Sequence, residues 1–376
     1  MLEQIGSLLI DMLEQTGVMH LWYGNIIMMI VGTIFIYLAI VKKYEPLLLI
    51  GIGFSCIVCN APGSGLADPG GLFWYAYQGV ALIIIPPLIF LGVGAMTDFG
   101  PMISNPSLII LGAAAHLGIF VALIGAKILG FSIGEAGAIG IIGGADGPMA
   151  IFVTMKLAPH LLPQISVAAY SYMALMPLIQ PPIMRMFTTK KERQIIMTQT
   201  RVVTRLEKII FPMVIAVIVD LLLPPVAPLI TMLMLGNLLR ECGVVERLAQ
   251  TAANDLMNII IITLTVAIGS TMNADTFLTF KTLEIIVLGL VAFAFGTFSG
   301  IMGGRVLCWA SGGKINPLVG SAGIASVPIA ARVAHVVALK ENPYNFLIMH
   351  AMGPNLAGVF GTAISGGIML ALIGVK

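Results

Sequence analysis

Long apolar runs separated by short polar clusters set the pattern of this chain from residue 21 to its end. About 20 helical residues span the ~30 Å hydrocarbon layer of a membrane. Residues 21–40, 105–130, 161–184 and 283–302 meet that length. Residues 45–61, 209–223, 226–239 and 256–270 are shorter runs, and 79–96 is interrupted by Pro86-Pro87. Residues 133–155, 317–339 and 344–375 are apolar but rich in Gly, Ala and Pro. The pattern predicts an all-α polytopic membrane protein with about ten to eleven transmembrane segments, some of half length. Ahead of them, Leu2, Ile5, Leu9, Met12 and Leu13 share one face of residues 1–17, as in an amphipathic helix lying at the interface.

Composition sharpens this picture. The chain is 59% apolar and only 10% charged, with a mean hydropathy of +1.03, far outside the soluble globular range. Its glycines and prolines are scattered, which suits close helix contacts and interrupted helices rather than a low-complexity tract. Charge adds orientation: Lys42-Lys43 closes the first span and marks the inner side, leaving the acidic N-terminus outside. The N-terminus carries no basic n-region, so no cleaved signal peptide is expected. Residues 185–208 hold Arg185, Lys190, Lys191, Arg193, Arg201, Arg205 and Lys208. That stretch reads as a cytoplasmic connection between an N-terminal interfacial helix with a first membrane repeat (1–184) and a second repeat (209–376). The basic residues form no aromatic-interleaved stripe, so no nucleic-acid partner is expected. Cys56 and Cys59 lack a second pair or clustered histidines and read as packing residues.

The chemistry concentrates where apolar segments break. Asp146 stands in Gly143-Gly144-Ala145-Asp146-Gly147-Pro148, inside a run that is otherwise membrane-like. A carboxylate there costs about 2.5–3.5 kcal/mol on insertion scales, so it faces protein or water. Broken backbone survives at that depth only where it lines a site. A hard cation such as Na⁺ takes oxygen ligands of this kind; the structural alternative is an ion pair with Lys156. A faint copy follows in the second half, with Ser326 two before Pro328 and a segment His350-Ala351-Met352-Gly353-Pro354 resembling Met173-Ala174-Leu175-Met176-Pro177. Each half therefore reads as a small-residue hairpin followed by a proline-broken span, and paired interrupted segments point to a transport site at the midplane. Asn355, Asn316 and the Gly320-Ser321 pair add neutral oxygens near the second break. Tyr172 offers a phenolic oxygen, and Arg332 either snorkels to the interface or binds a carboxylate. No H-E-x-x-H, Walker A or nucleophile elbow occurs, so the chain has no nucleotide site of its own.

The runs GGADGPMAIF, VAAYSYMALMPLIQPPIMR, INPLVGSAG, VPIAARV and HAMGPNLAGV closely resemble the β subunit of the biotin-dependent, sodium-transporting decarboxylases acting on oxaloacetate, methylmalonyl-CoA, glutaconyl-CoA or malonate. The resemblance covers most of the chain from about residue 45 onward. It implies two inverted repeats in the cytoplasmic (inner) membrane of a bacterium, decarboxylation of carboxybiotin coupled to Na⁺ export, and consumption of a proton. The biotin would be carried by a partner subunit, with a biotin carboxyl carrier subunit, a carboxyltransferase subunit and a small membrane-anchoring subunit as partners and a homo-oligomer of this chain. Position by position, it implies Asp146, Asn316, Gly320 and Asn355 for Na⁺ and functional roles for Tyr172 and Arg332, read here as catalytic, with Arg332 also meeting the biotin; Ser321 and Ser326 join the Na⁺ candidates as hydroxyls near the second break. The family pattern has a serine where this chain reads Ala325; the hydroxyl here stands next door on Ser326. The compact N-terminus leans toward an acyl-CoA decarboxylase. The alternative is a secondary Na⁺/H⁺ antiporter that needs no biotin partner.

Overall fold

Residues 16–198 and 201–374 are described by the structure, a computed structural model. The amphipathic helix expected over 1–17 falls almost wholly outside them. All regular structure among the described residues is helical, as an apolar chain requires where no water satisfies its backbone. Five helices are long and apolar enough to cross a membrane, or up to seven if each bent pair is one span. Shorter apolar helices, among them Pro46–Cys59, Ile133–Gly144 and Gly147–Leu157, come in addition, as the half-length segments of the expected pattern. A leg of 11 residues rises only about 16 Å.

Two compact units make up the chain, and each takes segments from both sides of the basic stretch. One comprises residues 1–85 and 259–283. In it α1 (Tyr23–Val41) packs on α2 (Pro46–Cys59). Gly32 and Gly53 meet where a Cβ on either would strike the other's carbonyl. Asn60 donates to the Met272 carbonyl at 2.6 Å.

The other unit, residues 86–258 and 284–376, holds two hairpins. The first runs down α3 (Ile133–Gly140), through a 3₁₀ turn over Ile141–Gly144, and back along α4 (Gly147–Leu157). Ser132 and Glu135 form a reciprocal capping box that starts α3, and Glu135 also meets His160 at 3.0 Å. From there α5 (Leu162–Phe187) returns and leads to the short α6 (Lys190–Arg193). The helix α5 bends by 60° between Met173 and Leu175. Pro177 has no N–H for the Met173 carbonyl, so the bend falls one turn before it.

The second hairpin follows α7 (Phe280–Ala310). It descends through α8 (Leu318–Ser321), crosses an irregular stretch over 322–328 and rises along α9 (Ile329–Glu341). Gly300 of α7 and Gly320 of α8 lie back to back, each where a Cβ would fall on the other's carbonyl. The last helix, α10 (Ile348–Met369), carries Pro354 without a break. The expected proline-broken span is absent in this half: α10 is buried along most of its length, and that packing holds one axis through the missing hydrogen bond.

Candidate functional site

Asp146 is the N-cap of α4: its backbone is extended and its Oδ1 accepts the Met149 N–H at 3.0 Å. Ala145 precedes it in the left-handed region, φ +52°, and this turns the chain sharply enough to end one leg and start the other. The carboxylate is 6% exposed. It lines a cavity of about 80 Å³ with Met173, Ala325, Val327 and Val359. The two hairpin tips touch, since the Ala325 N–H donates to the Gly144 carbonyl at 3.0 Å. Lys156 is not its partner; its ammonium lies 4.8 Å from the centre of the Phe152 ring.

The second tip carries no charge and offers oxygens instead. Asn355 of α10 donates through Nδ2 to the carbonyls of Ala322 (2.9 Å) and Ile324 (2.7 Å). Gln180 of α5 donates through Nε2 to the Ser321 carbonyl at 3.1 Å. Both amides are fully buried. Their acceptor oxygens, Asn355 Oδ1 and Gln180 Oε1, have no hydrogen-bond partner among the described residues. Such a group costs about 1–3 kcal/mol unless something satisfies it.

The other expected ligands are placed differently. Asn316 spends its side chain on backbone: Nδ2 donates to the Arg193 (3.1 Å) and Ile195 (2.9 Å) carbonyls, and Oδ1 accepts the Leu318 N–H. Gly320 packs on Gly300. Ser321 Oγ donates to the Leu318 carbonyl at 2.6 Å, and Ser326 Oγ to the Met176 sulfur at 3.1 Å. None of these four lines the Asp146 cavity, and neither does Asn355 or Gln180, whereas Ala325 does; what sets the two amides apart is an acceptor oxygen left without a partner. Tyr172 donates to the Ile286 carbonyl and its ring rests on Gly289 of α7. It is Tyr170, passed over in the sequence, whose ring lies against Gly147 beside Asp146. Gln180 was visible only as part of a Gln-Pro-Pro run. A signal for Tyr170 did exist: residues two apart on a helix face different neighbours, so only one of the two tyrosines meets a given partner.

Arg332 lies in a groove between α5 and α9. Pro177, Pro181 and Arg185 face it from α5, and Ile329, Arg332, Val333, Val336, Val337 and Lys340 from α9. The spacing places each set on one helical face. The groove encloses about 470 Å³ and combines an apolar wall with three exposed cations. None of these cations is ion-paired with an acidic group among the described residues. Ile329 lies two residues beyond Val327, and Pro177 one turn beyond Met173, so groove and cavity share the second break.

Paired hairpins meeting around a buried carboxylate, with a cation-lined groove leading to the same break, define an ion-translocating polytopic membrane protein. A family model described as the Na⁺-transporting oxaloacetate decarboxylase beta subunit matches residues 24–373, and the chain belongs to that family. It is 55% identical to the glutaconyl-CoA decarboxylase subunit beta of Acidaminococcus fermentans, covering 98% of each chain. It is 54% identical to the methylmalonyl-CoA decarboxylase subunit beta of Veillonella parvula, over 96% of this chain and 97% of that one. Identity to the oxaloacetate decarboxylase beta chain 2 of Salmonella typhi is 45%, over 96% and 98%. The resemblance stated from the sequence therefore holds, and decarboxylation coupled to Na⁺ transport replaces the antiporter alternative. The chain is one subunit of a multi-subunit, biotin-dependent membrane complex.

Proposed function

We propose that Asp146, with the free amide oxygens of Asn355 and Gln180 and backbone carbonyls of the second tip, seats the transported Na⁺. The Arg332 groove, in this reading, receives carboxybiotin from the partner that carries it. The observation that supports the seat most is a buried carboxylate facing a break braced by two buried amides whose oxygens lack partners. A hard cation takes oxygen ligands of both kinds, a carboxylate and neutral amide oxygens. Asn316, Gly320, Ser321 and Ser326, expected as ligands, act one step back: they fix the stretch 316–326 whose carbonyls the amides grip. Tyr172 is a positioning residue that ties α5 to α7.

The groove fits a group that is apolar in body and anionic at one end, because its wall is Pro and Val and its cations are uncompensated. The carbamate of carboxybiotin supplies CO₂ as its C–N bond breaks; the electron pair stays on nitrogen, which takes up one proton. Arg332 orients the carboxylate through its planar fork. The stretch 326–329 lies between groove and cavity, so seating Na⁺ and releasing CO₂ act on one element. Proton uptake by Asp146 then removes the charge that holds the ion. Moving one charge outward against 100 mV costs about 2.3 kcal/mol, which the decarboxylation drives. The two hairpins enter as inverted repeats from opposite faces, 1–184 and 209–376 being the two halves. The setting is the cytoplasmic membrane of a bacterium, with carrier, carboxyltransferase and small anchoring subunits around an oligomer of this chain.

Asp146→Asn tests the seat. In proteoliposomes containing the whole complex it abolishes both ²²Na⁺ uptake and Na⁺-stimulated decarboxylation, while protein yield and thermal unfolding stay close to wild type. Retention of both activities removes the proposal.

A further inference from the structure

The groove opens toward the basic stretch 185–208, and the charges around its mouth are distributed unevenly. The acids there are already committed: Glu341 to Arg193 at 3.0 Å and Glu192 to Arg305 at 2.9 Å. Burial tends to raise the Glu192 carboxyl, yet the hydrogen bonds from Thr189 and the Arg305 guanidinium hold it below the ordinary glutamate range. Both acids therefore stay neutralised by their own arginines. Arg193 also donates to the Thr188 carbonyl, and its own carbonyl accepts from Asn316 and Asn345. The short α6 is thereby fixed against the end of α9 through Glu341, the neighbour of groove residue Lys340, and Lys190 and Lys191 of the same helix are exposed. Arg185 and Lys340 complete the rim from inside the groove. The result is a cluster of exposed cations, Arg185 and Lys340 on the groove and Lys190 and Lys191 on the adjoining α6, with no acidic partner among the described residues.

We infer that this rim is the docking surface for the subunit that bears biotin, and that it recognises an acidic face around that subunit's biotinyl-lysine. The inference rests on the groove reading above and adds a second contact to it. Arg332 meets the carboxylate of the prosthetic group, and Arg185, Lys190, Lys191 and Lys340 meet the protein that delivers it. A positive patch of this kind raises the encounter rate with an acidic partner and orients it, and salt screens it within about 8–10 Å. Delivery from a carrier thus becomes selective over capture of small carboxylates, because only the carrier engages both contacts.

The test uses the full-length chain in phosphatidylcholine nanodiscs, with the carboxylated carrier subunit added in trans and, separately, free N-carboxybiotin. Lys190→Glu with Lys191→Glu raises KM for the carrier at least about tenfold at low ionic strength, equivalent to about 1.4 kcal/mol. The ratio of carrier-borne to free-substrate efficiency falls by the same factor. Raising choline chloride brings wild type toward the variant. Lys190→Gln with Lys191→Gln gives an intermediate ratio and guards against a folding defect. An unchanged carrier KM overturns the inference, as does an equal rise for both substrates. A change seen only when anionic lipid is added also overturns it, since the rim would then serve headgroups. The groove reading fails separately, if Arg332→Gln leaves turnover of both substrates intact.

Discussion

The two hairpins share a plan and differ in chemistry. The first puts one full charge at its tip, held by a left-handed residue and a single backbone N–H. The second puts no charge there and instead presents backbone carbonyls gripped by side-chain amides from two other helices. The first is closed at its open end by Glu135 and His160. The second is tied to α6, where Arg193 engages Glu341 and Asn316. A charge can sit on a tip whose backbone is self-sufficient, because the strain is local. A neutral oxygen cage needs donors brought from elsewhere, and so the second tip depends on α5 and α10 keeping their places. In the proposed seat the first tip supplies the charge and the second the neutral oxygens, and any movement of α5 is felt by Gln180 and by the groove wall together.

That contrast can be broken experimentally. Asn355→Leu removes two donors from buried carbonyls at about 1–3 kcal/mol each, so the second tip loosens. The Na⁺ concentration for half-maximal decarboxylation rises about a hundredfold or more, with a lower unfolding temperature. A normal Na⁺ response would show that the first tip suffices alone. Gln180→Leu removes the hydrogen bonds to the Ser321 carbonyl and the Thr297 hydroxyl and one free oxygen; the same Na⁺ titration shifts about tenfold, near 1.4 kcal/mol, with little change in KM for free N-carboxybiotin. A shift in KM alone would place Gln180 with the groove rather than the ion.

The smallest effect is expected away from both tips. Burial works to raise the Asp98 carboxyl, but Lys208 at 2.8 Å, the Gly100 N–H and Arg240 outweigh it and hold the carboxyl below the ordinary aspartate range. Because the folded value is depressed, this pair's stabilisation is complete above about pH 4 and is lost as pH falls through the folded value. The pair is half exposed, so Asp98→Asn costs at most ~1 kcal/mol. Thermal unfolding at pH 7 should show this loss, the gap between variant and wild type should narrow as the pH is lowered below about 4, and Na⁺ affinity at pH 7 should be unaffected.

Much of this was legible in the residues. Apolar length and the Gly-Pro breaks specify half-helices, because a membrane leaves the backbone no other partners. Asp146 declared itself by its cost. Its neighbours did not: Lys156, ten positions on, goes to Phe152 instead, and the choice of Tyr172 over Tyr170 turned on the rotation of α5. Asn316 and Asn355 look alike in sequence, yet one has every side-chain group bonded and the other keeps an oxygen free.

Sequence alone determined that the chain is helical and which carboxylate lies in a break, since these depend on local polarity and backbone chemistry; whether a proline breaks its helix, as at Pro177, or not, as at Pro354, did not follow from it. Only the tertiary structure decided which tip meets which and which amides keep an unpartnered oxygen. It also decided that Arg332 lines a groove between α5 and α9. Those outcomes depend on the rotation and offset of helices far apart in the chain, and no short stretch of residues encodes them.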